Sequence, residues 1–222
     1  MCIRDSLTAI RGLVETILDD EAMEPSTQRR FLTSIHAQSE RLSDIVEEML
    51  ALSRLEGQGA QIPREPVDLR APVADARESL LPLARERGQD LILEAPEGPV
   101  TVLGTHEALR RVAANLIDNA LKYSPVRGRV HVVVGGASGR AFLQVSDTGP
   151  GIPVGERERV FERFYRIDKG RSRGSGGTGL GLAIVKHLVQ GLGGEVSASE
   201  APGGGARLRV ELPLAPAVPP AP

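Results

Sequence analysis

Apolar residues repeat at helical spacing through the first quarter of the chain, and beyond a glycine- and proline-rich break the pattern changes. Leu7, Ile10, Val14 and Ile17 follow 3-4-3 spacing, the seam of a helix that packs in a bundle. Pro25-Ser26-Thr27 interrupts the stripe, and Ser26 or Thr27 can cap a second helix. Leu32, Ile35, Ser39, Leu42, Val46 and Met49 share one face of that helix, opposite Arg29, Arg30, Glu40, Arg41, Glu47 and Glu48. Two such helices cannot bury both seams alone. The pattern predicts an antiparallel hairpin that pairs with a second copy as a dimeric four-helix bundle.

The break runs from Gly57 to Pro66 and reads as a linker. Beyond it, Asp68 can cap a helix over roughly 70–87, and Leu91–Leu93 and Val100–Val102 read as short strands. Thr105 can cap a helix holding Asn115 and Asn119. Val130, Val132 and Val134, then Ala141, Leu143 and Val145, alternate as a hairpin across Gly135–Gly139. A short helix near Glu156–Phe164, a helix from about Thr178 to Leu192 and a hairpin turning at Pro202–Gly205 complete the pattern. The expected fold is α+β: a helical hairpin over 1–56, a linker over 57–66, and an α/β two-layer sandwich over 67–213. Residues 214–222 alternate Pro with small residues and predict a disordered tail.

Composition narrows the function. Trp is absent and aromatic residues are 3%, so the core must be aliphatic. A net charge of −2 supplies no basic field for nucleic acid. Cys2 is the one cysteine, which excludes an internal disulfide and two-cysteine metal motifs and suits a reducing compartment. The longest apolar runs fall short of the roughly 20 residues that span a bilayer. The expectation is a cytoplasmic polypeptide whose longer parent is anchored in the inner membrane through a missing N-terminal region.

Three polar-and-glycine segments carry the chemistry. On one helix face, Asn115, Asn119 and Lys122 suit a Mg²⁺–triphosphate, with amide oxygens for the hard cation and an ammonium for phosphate. Paired Asn residues that cap or cross-link neighbouring helices are the competing reading. Asp147 ends an alternating strand before Thr148-Gly149-Pro150-Gly151, where a carboxylate can accept from an exocyclic amine and glycines admit a base; a plain turn is the alternative. Gly177-Thr178-Gly179-Leu180-Gly181 opens a helix whose first N–H groups form an anion site, or whose glycines serve close helix–sheet packing. It is neither a Walker A loop nor a Rossmann fingerprint. Between the last two lies Phe161-Glu-Arg-Phe164-Tyr165-Arg166, suited to anchor a mobile glycine-rich lid over 167–177, with Arg166, Lys169, Arg171 and Arg173 within reach of phosphates. For most of those four charges a solvated loop is the simpler reading.

Together these residues resemble the C-terminal core of bacterial sensor histidine kinases, whose ATP domain is shared with gyrase, Hsp90 and the mismatch-repair ATPases. Asn115–Tyr123 is similar to that family's N box, Asp147–Ile152 to its first glycine box, Phe161–Arg166 to its F box, and Gly177–Leu182 to its second glycine box. Leu7-Thr-Ala-Ile-Arg-Gly-Leu-Val-Glu-Thr-Ile17 and Phe161–Arg173 look most like the phosphate-regulon sensor type. The resemblance implies ATP and Mg²⁺ as cofactors, with Asn119 as Mg²⁺ ligand and Asn115, Lys122 and Tyr123 near the phosphates. It implies Asp147 on adenine, with Gly149, Gly151, Arg166, Gly177, Thr178, Gly179, Leu180 and Gly181 completing the nucleotide site. The hairpin then corresponds to the dimerisation and phosphotransfer unit, with a homodimer and a response-regulator receiver domain as partners.

The resemblance resumes at Leu7. The family's His-Glu-Leu-Arg-Thr-Pro is replaced by Met1-Cys2-Ile3-Arg4-Asp5-Ser6, so the phosphoacceptor His falls on Met1 and no catalytic residue is assigned. A longer gene truncated or mis-joined at residue 6 is expected to account for this. His36, His131 and His187 lack the adjacent acidic residue of a phosphoacceptor motif; His106 is followed by Glu107, but it falls at a helix start inside the ATP unit and Leu-Arg-Thr-Pro does not follow. The expected function is a histidine kinase core that binds ATP–Mg²⁺. In the intact protein it phosphorylates a His and passes the group to a regulator Asp. An ATP-binding dimeric regulatory module is the alternative. A Ser/Thr kinase of the anti-sigma type is disfavoured by the hairpin, and a gyrase- or Hsp90-like ATPase by Asn115, where that group carries a catalytic Glu.

Overall fold

The computed structural model describes residues 3–20, 22–57, 63–167 and 178–215. Helices α1 (Ile3–Asp19) and α2 (Pro25–Gly57) pack against each other as an antiparallel pair. The second helix starts before the expected caps. Pro25 has no N–H to leave unpaired and a φ already suited to a helix, so the first turn forms there. Glu24 serves the turn instead: its carbonyl accepts from the Thr27 and Gln28 N–H groups, and its carboxylate accepts from the Ser26 hydroxyl. In the single chain much of the apolar seam stays exposed, including Leu7, Val14, Leu32, Val46 and Met49, whereas Ile45 is buried.

The sandwich begins earlier than its sequence suggested. Strand β1 (Glu65–Asp68) starts inside the proline-rich stretch and pairs antiparallel with β3 (Thr101–Gly104). Pro66 is tolerated because this is a two-stranded sheet in which β1 needs bonds on one side only. Asp68 then accepts from the Arg70 N–H at the start of α3 (Arg70–Glu86), from the Arg70 guanidinium and from the Val100 N–H.

Five strands form the main sheet in the order β2-β4-β5-β7-β6, comprising β2 (Asp90–Glu94), β4 (Arg129–Ala137), β5 (Arg140–Asp147), β6 (Glu195–Glu200) and β7 (Ala206–Pro213). β2 and β4 run parallel; the other neighbours are antiparallel. The hairpin between β4 and β5 is tighter than expected, because the strands pair out to Ala137 and Arg140 and only Ser138 and Gly139, both with positive φ, make the turn. Alternate residues face the helices. Val132 pairs with Val145 and Val145 with Leu208, all three buried, so one row of side chains crosses three strands. Helices α3, α4 (His106–Tyr123) and α5 (Gly181–Gly191) supply the other layer, with Leu109, Leu116, Ile117, Leu121, Ile184 and Leu188 in the common core.

Two devices fix α4, the helix that matters most for the site. At its start the Thr105 hydroxyl accepts from the Ala108 N–H at 3.2 Å, as the sequence predicts. At its end the buried Gln89 amide donates to the carbonyls of Leu121, Ser124 and Pro125 at 3.0–3.1 Å, satisfying groups a helix C-terminus leaves open. Among the described residues no helix is long and apolar enough to cross a membrane.

Candidate functional site

Asn115, Asp118, Asn119 and Lys122 fall at i, i+3, i+4 and i+7 on α4 and line one cavity of about 470 Å³. The Asn115 Nδ2 donates to the Arg111 carbonyl at 2.8 Å, which fixes the direction of Oδ1. A β-carbon on Gly181 would lie 2.8 Å from that oxygen, so a larger residue at the start of α5 would push the Asn115 amide out of this position. Lys122 Nζ pairs with the Asp118 carboxylate at 2.6 Å, and Tyr123 closes the helix end of the wall.

Across the cavity stands Asp147, 5% exposed at the end of β5. One of its oxygens accepts from the Gly149 N–H at 2.7 Å and from the Ala206 N–H at 3.1 Å. Burial pushes the carboxyl above the ordinary carboxylate range, and the two backbone donors offset this only in part. The packing around it is backbone on backbone. A β-carbon on Gly149 would meet the Tyr123 carbonyl at 2.6 Å, and one on Gly205 would meet the Asp147 carbonyl at 2.0 Å. Gly149 thus sits behind the wall and shapes it without lining it. Gly151, at φ 74, does line it, together with Pro150, Ile152 and Ala206.

The aromatic segment Phe161–Arg166 adopts a different form from the short helix its sequence suggested. Two single 3₁₀ turns, Val154–Glu156 and Arg159–Phe161, precede Phe164, whose φ of 58 turns the chain back. The Phe164 N–H donates to the Gly179 carbonyl at 2.9 Å, stitching this segment to the second glycine segment. A β-carbon on Gly179 would lie 3.0 Å from the Phe164 backbone. Tyr165 lines the cavity with its hydroxyl on the Glu156 carboxylate and the Arg159 guanidinium 4.4 Å over its ring, and Arg166 lines it beside them.

The helix expected from Thr178 begins at Gly181, because Gly179 takes φ 78 and cannot be helical. Thr178 turns the chain instead, its hydroxyl accepting from the Leu180 N–H at 3.2 Å. Leu180, counted among the site residues on sequence, is fully buried in the core and does not line the cavity; an aliphatic side chain at this step gains more from packing than from facing phosphate. Gly177, the lid charges Lys169, Arg171 and Arg173, and Met1 lie outside the described residues. Asn115, Asn119, Lys122, Tyr123, Asp147, Gly151, Arg166, Thr178, Gly179 and Gly181 are brought together on one wall system.

Sequence reasoning missed Asp118, Tyr165, Ala206 and Glu48. Asp118 was detectable, since it shares the helical face of Asn115 and Lys122. Ala206 and Glu48 reach the cavity from the last hairpin and from α2, with no local signal. The Glu48 carboxylate accepts from the Thr178 hydroxyl at 2.5 Å. Among the described residues, no group of three or more His, Cys, Asp or Glu could hold a metal ion unaided. The wall nevertheless offers adjacent hard oxygens on Asp118 and Asn119, with cationic Lys122 and Arg166 on the same cavity. This donor set fits a cation that arrives with an anionic ligand.

Residues 104–216 match the family described as histidine kinase-, DNA gyrase B-, and HSP90-like ATPase. Residues 3–58 match the His Kinase A (phospho-acceptor) domain. The sensor-like histidine kinase SenX3 of Mycolicibacterium smegmatis is 37% identical over 211 residues, covering 95% of this chain and 54% of that protein. The phosphate regulon sensor protein PhoR of Pseudomonas aeruginosa is 34% identical over 203 residues, covering 91% of this chain and 46% of that protein. Among solved structures, full-length ShkA in complex with AMPPNP superposes with a TM-score of 0.74 at 28% identity, covering 98% of this chain and 45% of that one. The chain spans about half the length of the curated relatives it matches.

Proposed function

This chain belongs to the sensor histidine kinases of bacterial two-component systems, and on that premise we propose that it is their nucleotide-binding kinase core, taking ATP with Mg²⁺. The observation that carries the reading is the buried Asp147 carboxylate, which faces a largely apolar recess while the polar face of α4 lies opposite. A carboxylate with one oxygen committed to two backbone donors keeps its other oxygen for an exocyclic amine, which selects adenine over a base with a carbonyl there. Ile152 and Leu182 give the base an apolar seat. Lys122, Arg166, Thr178 and the unpaired N–H groups at the start of α5 hold the phosphates.

Asn119 and Asp118 would hold Mg²⁺ in company with the phosphates. The ion supplies charge neutralisation on the transferred group. The chain's own residues orient the nucleotide and exclude water. In the intact parent the phosphoryl group goes to an imidazole on the hairpin and then to an Asp of a response regulator. The exposed apolar seam of α1 and α2 is the face through which two copies pair as a four-helix bundle. The expected limits of 1–56, 57–66, 67–213 and 214–222 shift accordingly: the phosphotransfer hairpin reaches Gly57 at the end of α2, and the ATP unit runs from Glu65 at the start of β1 to Ala215, whose N–H and neighbour Leu214 bond to β3.

Titration of the chain with a fluorescent ATP analogue tests the core of this: saturable Mg²⁺-dependent binding is expected, weakened roughly tenfold or more in Asp147→Asn. A second reading takes the nucleotide site and the hairpin without a phosphoryl transfer between them. On that reading the chain is an ATP-binding dimeric regulatory module without phosphotransfer. Incubation with labelled ATP, before and after placing His-Glu-Leu-Arg-Thr-Pro ahead of Leu7, separates the two. Label gained on the extended protein supports the kinase, and continued silence supports the module.

A further inference from the structure

Among the described residues, Glu48 is the one residue of the helical hairpin on the cavity wall. Its position is not accidental to a loose contact. α2 packs on α5, and one turn before Glu48 the side chain of Ile45, 5% exposed, is buried with the core of the sandwich. Residues at i and i+3 share a helix face, so the docking of Ile45 aims Glu48 at the cavity. Its carboxylate then accepts from the Thr178 hydroxyl across a separation of 130 residues. Beyond α2, the Arg64 guanidinium donates to the Gly191 carbonyl at the far end of α5, at 3.3 Å.

Thr178 marks the threshold of α5, whose first N–H groups lack intrahelical partners and favour negative charge. A carboxylate seated there takes the hydroxyl donor that an anionic ligand would use. It also adds a negative charge to a cavity that already holds Asp118, itself occupying Lys122. We propose that Glu48 is an internal anion that competes with nucleotide phosphate for Thr178, so that docking of α2 on α5 and binding of nucleotide oppose each other. The proposal rests on the nucleotide reading of the cavity. Coupling of this kind is reciprocal: whatever draws α2 away raises nucleotide affinity, and nucleotide loosens α2 by the same factor.

The test is calorimetric titration of MgATP into the full chain as wild type, Glu48→Gln and Ile45→Ala. Glu48→Gln keeps the side-chain length and removes the charge; Ile45→Ala weakens docking without touching the cavity wall. Both variants are expected to bind roughly five- to 150-fold more tightly, the usual range for coupled sites. Hydrogen exchange across residues 42–50 should also rise when MgATP is added to the wild type. Wild-type or weaker affinity in Glu48→Gln, or exchange unmoved by MgATP, would overturn the proposal. If wild type and both variants all fail to bind, the nucleotide reading itself falls, which is a separate result.

Discussion

Gly205 lies against Asp147 so closely that a β-carbon there would sit 2.0 Å from the Asp147 carbonyl oxygen and 3.2 Å from its carboxylate. The turn between β6 and β7 is therefore part of the candidate base site, although it looks in sequence like an ordinary glycine-rich hairpin. The neighbouring Ala206 N–H is one of the two donors that hold the carboxylate.

Gly205→Ala should lift that turn away from Asp147. Its cost combines the clash with a left-handed φ of 84, and a loss of about 2–3 kcal/mol is expected from strain of this kind. Gly203, at φ 86 with nothing near its β-carbon position, is the control for backbone strain alone. Urea denaturation should show Gly205→Ala to be the more damaging, and nucleotide affinity should fall only in that variant. Equal effects from both would refute the close-contact argument.

Asp147 is expected to trade stability for binding. Its carboxyl is raised by burial, so the folded chain holds a proton over a pH window in which the unfolded chain has lost it. Stability therefore falls as pH rises from the ordinary carboxylate range through the raised value, and the cost stays in full above it. Asp147→Asn should leave the unliganded protein more stable at neutral pH while lowering ATP affinity by roughly tenfold or more, the scale of a hydrogen bond to a charged group. Wild-type affinity should drop as pH falls through the raised window. Thermal melts and titrations over pH check both halves.

Asp68 gives the opposite sign. The Arg70 guanidinium holds its carboxyl below the ordinary range, aided by the Val100 and Arg70 N–H groups. The stabilisation is complete above the ordinary carboxylate pKa and is lost as pH falls through the depressed one. Leu69, not Asp68, holds the cap position of α3, so Asp68→Ala should cost about 1–2 kcal/mol as lost hydrogen bonds to a charged, partly exposed group. ATP affinity should be untouched, because Asp68 is remote from the cavity wall; a matching loss of binding would contradict the assignment.

Leu32 is 53% exposed on the seam of α2. If that seam is where two copies meet, sedimentation should find the wild type dimeric and Leu32→Glu monomeric, with nucleotide affinity per chain retained. A monomeric wild type would remove the bundle proposal.

What was legible in the sequence was whatever repeats locally. The Thr105 cap, the Val130–Val145 alternation and the Asn115–Lys122 face follow from spacing of two, three or four residues, and the structure bears each out. Features set by remote partners were not legible. β1 hides because its sheet partner, β3, lies beyond α3, and Pro66 argues locally against a strand. The Leu180 side chain turns into the core; a glycine-rich segment signals a ligand site without saying which of its residues turn inward. Glu48 and Ala206 reach the cavity through tertiary packing alone. Ser26 and Thr27 look like caps, yet Pro25 starts the helix one step sooner.

The order of strands in the sheet carries a consequence for how the protein comes into being. β7 lies between β5 and β6 although it is made last of the three, and it brings Ala206 to Asp147. During synthesis, which proceeds from the N-terminus at a pace that lets early segments pair first, α4 and the β4–β5 hairpin can form with their polar face already displayed. The base end stays unfinished until the final strand leaves the ribosome and slots between its neighbours. Removal of the last hairpin would take the Ala206 donor from Asp147 while leaving every residue of the α4 face intact.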